Sequence, residues 1–129
     1  PIFLIIPRPP RSTPLYSSAA SDVYKTQVLV IPVTEVDQWT DLPAEVVTHC
    51  TGVAHAVGRA QMAVLSPARI GLMGAGFEVP HTHLHVVPLE SMGHLDFAQA
   101  DPDPDPAALD AVADLLRGAL RAGGHAEAT

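Results

Sequence analysis

Short apolar runs and two helical stripes organise this chain. Val28-Leu29-Val30-Ile31-Pro32-Val33 is a continuous apolar run of strand length, and it reads as a strand buried on both faces and closed by Pro32. Ala68 to Met73 reads as a second apolar strand, which Gly74-Ala75-Gly76 breaks into a tight loop. His81 to Leu89 reads as a third. Between the first two, Val46, Cys50, Val53, Val57 and Ala60 recur at three- and four-residue steps and mark the apolar stripe of a helix ending near Ser66-Pro67. Asp41-Leu42-Pro43 reads as its start, with Asp41 or Thr40 as the cap. Leu109, Val112, Leu115, Leu116 and Leu120 draw a second stripe over Ala107 to Arg121, ended by Gly123-Gly124. No internal repeat is visible. The pattern predicts an α+β fold, an antiparallel sheet with a long helix and a C-terminal helix packed against it.

Two stretches fall outside this pattern. Residues 1–27 are rich in Pro, Ser and Arg, begin without Met, and give way abruptly after Gln27 to an Ala/Val/Asp-rich style. That segment resembles translated sequencing-adapter reads, and we expect it to be non-native or disordered, leaving a truncated domain behind it. Its apolar run, Ile2 to Ile6, is far too short for a membrane span, and no basic start or small-residue cleavage site marks a secretory signal. The second stretch, residues 99–106, carries the run Asp101-Pro102-Asp103-Pro104-Asp105-Pro106 and reads as a stiff, solvated acidic linker. The expected organisation is a partial catalytic core over residues 28–98, this linker, and a C-terminal helix and tail over residues 107–129.

Composition narrows the functional classes. A chain of 129 residues with 47% hydrophobic content has room for one core. A net charge of −7 argues against nucleic-acid and anionic-membrane partners, which need a basic face. A single cysteine excludes an internal disulfide framework and suits a reducing cytoplasm. Cys50 falls on the apolar stripe of its helix and reads as packing.

The candidate chemistry lies in His81-Thr82-His83-Leu84-His85-Val86-Val87. On a strand these three imidazoles share one face, and Thr82, Leu84 and Val86 share the other. Histidine titrates nearest neutrality, so such a row can supply a nucleophile, an acid or a base. A metal site is the first alternative. His81 and His85 would stand about 13 Å apart at Cα, and three collinear ligands do not easily close a tetrahedron. No Cys-x-x-Cys or His-Glu-x-x-His is present, so neither a metal nor a cofactor is expected. A solvated face with chance histidines is the second alternative. Three in five positions, out of seven in the chain, weigh against it.

This row, preceded by Gly76-Phe77-Glu78-Val79-Pro80 and followed by Pro88, resembles the histidine-triad (HIT) superfamily of nucleotide hydrolases and transferases. Val28 to Pro32 resembles the family's central strand, Val36 to Leu42 the turn after it, and Ala44 to Met62 its long helix. The resemblance implies a HIT-like antiparallel sheet and cleavage at a nucleotide α-phosphate through a covalent nucleotidyl-histidine. It further implies His83 as nucleophile, His85 on the phosphate and leaving-group side, and His81 orienting the row. Gly76, Glu78 and Val79 match the loop whose backbone approaches the phosphate. A nucleotide or nucleotide conjugate is the implied substrate and a homodimer the implied assembly. There are three departures. The loop before the triad carries no Asn, Thr26-Gln27 stands where a Gly-His pair usually opens the central strand, and Glu35 replaces a histidine that helps some bacterial members bind structural zinc. They keep open a different class, a degenerate nucleotide-binding module without turnover.

Overall fold

Four strands form one antiparallel sheet in the computed structural model, which describes residues 2–5, 26–77, 79–95 and 105–128. β1 (Ile2–Ile5) lies at one edge against β2 (Val28–Pro32). β4 (Leu84–Leu89) follows, and β3 (Arg69–Met73) forms the other edge, giving the order β1-β2-β4-β3. All of β2 is buried, as its unbroken apolar sequence requires of a central strand. The fold is α+β, as the sequence predicts.

A 22-residue helix, α1 (Ala44–Leu65), covers one face of the sheet. Cys50, Ala54, Val57 and Ala60 share a buried cluster with Val28, Val30 and Val86, which the two-residue period of a strand turns toward the helix. The close approach depends on Gly58, where an added Cβ would lie 3.3 Å from Ile70 Cγ2. The second helix, α2 (Pro106–Ala122), adds Leu116 and Leu120 to the same cluster. Asp105 caps α2 by accepting a hydrogen bond from the Ala107 amide at 3.1 Å, with Pro106 in the first turn, where no N–H is missed. Residues 105 and 106 of the expected acidic linker therefore belong to the helix start, and its remainder lies outside the described residues, as do residues 6–25 of the N-terminal segment.

The structure corrects two expectations. Neither Thr40 nor Asp41 caps α1. Trp39–Asp41 close a 3-10 turn of their own, in which the Asp41 amide donates to Gln38 O at 3.0 Å, and Pro43 takes the N-cap position without a side-chain bond. The third strand begins at Leu84 rather than His81. Ahead of Leu84 the backbone is committed elsewhere, since the His81 amide donates to Val79 O at 2.8 Å and the Thr82 amide to Val36 O at 2.7 Å. The Thr82 hydroxyl donates to Val36 O as well, at 2.9 Å, so Thr82 ties this approach to the turn after β2 instead of joining the ladder.

Cys50 is buried, and that burial pushes its thiol pKa up, as expected of an inert packing residue. The register of α2 is open to a direct check. Leu116 is 1% exposed and its neighbour Leu115 is 53% exposed. Leu116→Ala is expected to cost about 2–5 kcal/mol in denaturant unfolding, and Leu115→Ala to stay within about 0.5 kcal/mol. Equal losses at the two positions would mean that α2 is docked on a different face.

Candidate active site

The pairing of β4 with β2 sets where the histidines stand. Leu29 is opposite His85, Val28 opposite Val86, and Val30 opposite Leu84. His85 is buried on the strand, and His83 and His81 follow on the loop that leads into it, both half-buried. The His83 and His85 rings meet edge to face with centroids 4.9 Å apart. Strand alternation therefore holds only from Leu84 onward. The other two rings are placed by hydrogen bonds.

Those bonds also fix protons. His83 Nδ1 lies 2.8 Å from the His81 carbonyl oxygen, and His81 Nε2 lies 2.8 Å from the Pro32 carbonyl oxygen. A carbonyl only accepts, so both nitrogens carry hydrogen. The neutral His83 ring then has a bare Nε2, the form needed for attack on phosphorus. His81 serves twice, its ring anchored to the end of β2 and its own carbonyl holding His83. His85 Nδ1 meets Gln27 Oε1 at 2.9 Å, an acceptor again, so this nitrogen too carries hydrogen.

Two glutamines are buried at this site, and of these the sequence marks only Gln27, which stands where a Gly-His pair usually opens the central strand. Gln27 is fully buried although it closes the segment 1–27 that composition sets apart. The signal was its position two residues before Leu29, which sets it on the His85 face. Gln61, also fully buried, sits on the apolar stripe of α1 with Cys50, Ala54 and Val57. A polar residue at such a position is itself a signal, since it must find partners inside the core.

The loop before the triad holds the expected phosphate-binding residues. Gly76 has φ +72°, a left-handed conformation that glycine adopts without strain, and it faces the Asp37 carbonyl across the loop. Val79 is half-buried and its carbonyl closes the turn to His81, whereas Glu78 lies outside the described residues. Phe77 is 97% exposed.

A structural zinc finds no fit among the described residues. No group of three His, Cys, Asp or Glu is placed to hold a metal ion, and the one cysteine is packed in the core. No helix among these residues is long and apolar enough to cross a membrane.

With this geometry in view, residues 16–92 match the sequence model of the HIT domain. The match spans β2, α1, β3, β4 and the three histidines, and it begins inside the N-terminal segment that composition set apart. The fold is similar to that of a zinc-bound histidine triad family protein from Mycobacterium smegmatis. The TM-score is 0.59 and the sequences are 30% identical, over 79% of this chain and 73% of that one.

The proton assignments are measurable without substrate. Above about pH 8, where an ordinary imidazole is neutral, side-chain 15N NMR is expected to show His83 as the Nδ1–H tautomer and His81 as the Nε2–H tautomer. The reverse assignment at His83 would remove the bare Nε2 on which a nucleophilic role depends.

Proposed function

This chain belongs to the HIT domain family, and we propose that it is a nucleotide hydrolase or nucleotidyl transferase working through a covalent nucleotidyl-His83 intermediate. The observation that carries the proposal is the bond from His83 Nδ1 to the His81 carbonyl, because it leaves Nε2 unprotonated and held in one direction. A neutral nitrogen approaches an anionic phosphate without charge repulsion.

In the first step His83 Nε2 bonds to the α-phosphorus and the bond to the leaving group breaks, its electron pair departing with that group. His85, when cationic, releases a proton from Nε2 to the leaving atom while Nδ1 stays on Gln27 Oε1. Water or a second acceptor then attacks phosphorus, the P–N bond to His83 breaks, and the proton of the attacking group returns to His85. His81 orients His83 through its carbonyl. The loop of Gly76, Glu78 and Val79 supplies backbone amides for the non-bridging oxygens. We favour the hydrolase branch, on purine nucleoside phosphoramidates or nucleotide conjugates, in a chain with one small core. A single buried cysteine fits work in a reducing cytoplasm.

A homodimer belongs to the same reading. β3 is an edge strand, and beside it α1 leaves an apolar cleft lined by Ala54, Met62, Ile70 and Leu72. Leu72 is 55% exposed. An apolar edge of this kind is normally covered in a stable protein, and a second copy of α1 and β3 would cover it.

Acid-quenched mass spectrometry with adenosine 5′-phosphoramidate is expected to trap an adenylyl group on His83. His83→Ala is expected to lose the adduct and to lower turnover by about 10³-fold or more. Nucleotide binding with neither adduct nor turnover would instead identify a binding module. For the assembly, light scattering is expected to find a dimer that Leu72→Glu converts to monomer. A wild-type monomer at micromolar concentration would rule that assembly out.

A further inference from the structure

The two buried glutamines lie near His85 on opposite sides of the sheet. Val28 and Val86 face α1, and Leu29 and His85 face away from it. Gln27 continues the His85 side and meets its Nδ1 through Oε1. Gln61 reaches in from the α1 side, and its Nε2 donates to the Thr26 carbonyl and to the Val86 carbonyl, both at 3.0 Å. These are the residue before Gln27 and the residue after His85. Thr26 and Gln27 precede the first residue of β2, at the point where the chain enters the sheet.

We infer that Gln61 and Gln27 are a positioning pair for His85, with Gln61 clamping the two backbones across which Gln27 fixes the direction of the His85 ring. This rests on the reading of His85 as a member of the reacting row. Neither glutamine touches the reacting atoms. Among the described residues Gln61 Oε1 has no hydrogen-bond partner, although it is buried. A side chain kept only to fill the core would not carry an unsatisfied acceptor there, whereas one kept for its two donor hydrogens would. Gln27 supplies a neutral acceptor, which holds the ring both when it is neutral and when it is cationic. An Asp or Glu there would instead favour the cation.

The test reads His85 directly. In the wild-type protein, 15N NMR is expected to show neutral His85 as one tautomer, Nδ1–H. Gln27→Leu and Gln61→Met should each turn this into a mixture, and Gln27→Glu, which keeps an acceptor oxygen at the same reach, should restore it. Gln61→Met should have no further effect in the Gln27→Leu background, as a shared route requires. Should Gln61→Met fail to fold, Gln61→Asn keeps the amide but withdraws it by one methylene, and it should show the same mixing. With adenosine 5′-phosphoramidate, kcat should fall about 10- to 100-fold and KM should change little, the pattern of a misplaced acid. A purely structural role would lower the melting temperature and leave the tautomer alone. An unchanged His85 tautomer in a folded Gln61 variant overturns the pair, whatever the activity. A mixed tautomer in variants of a wild-type protein without turnover keeps the pair and overturns the hydrolase reading.

Discussion

A backbone carbonyl can only accept a hydrogen bond, and the histidine row is built on that restriction. Two of its three rings end on carbonyl oxygens, His81 on Pro32 and His83 on His81, so the tautomer of each is set by main-chain geometry. The main chain in turn is placed by the pairing of β2 with β4. Pro32 closes β2, and the loop carrying His81 and His83 enters β4 at Leu84 beside it. Thr82 secures this approach by returning both its amide and its hydroxyl to Val36. Shifting β4 against β2 by one residue would carry His85 to the core side and part His81 from Pro32. Register is therefore the point at which sheet stability and site chemistry become one requirement.

The same coupling explains how much was legible in the sequence. β2 was readable because a strand buried on both faces needs an unbroken apolar run, and α1 because a long helix on a sheet repeats its apolar stripe at a fixed step. The histidine spacing marks the candidate site. It does not show how the rings are held, because the strand period begins only at Leu84 and the chain at His81 is still a loop. No alternation pattern encodes the bond from Thr82 to Val36, which joins residues 46 positions apart. The start of α1 escaped for a similar reason. Thr40 and Asp41 are good capping residues in isolation, yet both lie inside the 3-10 turn at Trp39, where the Asp41 amide donates to Gln38.

The glutamines are harder cases. Gln61 occupies a stripe position that composition alone would give to an aliphatic residue, and burying its unpartnered Oε1 costs about 1–3 kcal/mol. Against that stand two hydrogen bonds to carbonyls, one buried and one partly buried, each contributing about 0.5–1.5 kcal/mol net. The sum is close to neutral, so stability alone gives little reason for a glutamine over a methionine of similar volume. Local order at the entry to β2 is what the amide provides and methionine does not. Gln27 lies where the compositional break fell, and its contact with His85 spans 58 positions. Only the folded sheet brings the two together.

The acceptors share one further property. Pro32 O, His81 O and Gln27 Oε1 are all uncharged. A carboxylate in any of these places would hold its histidine more strongly, and it would also raise that ring's pKa and set a negative charge beside an anionic substrate. With a net charge of −7, the chain has little margin for further repulsion near a phosphate. Neutral acceptors orient the rings and leave their charge free to follow the reaction. In the proposed chemistry His83 stays neutral for attack, and His85 alternates between proton donor and acceptor without breaking the bond that aims it. The proposed chemistry needs both behaviours from rings 4.9 Å apart. Uncharged oxygens on a fixed sheet register are the arrangement that permits them side by side.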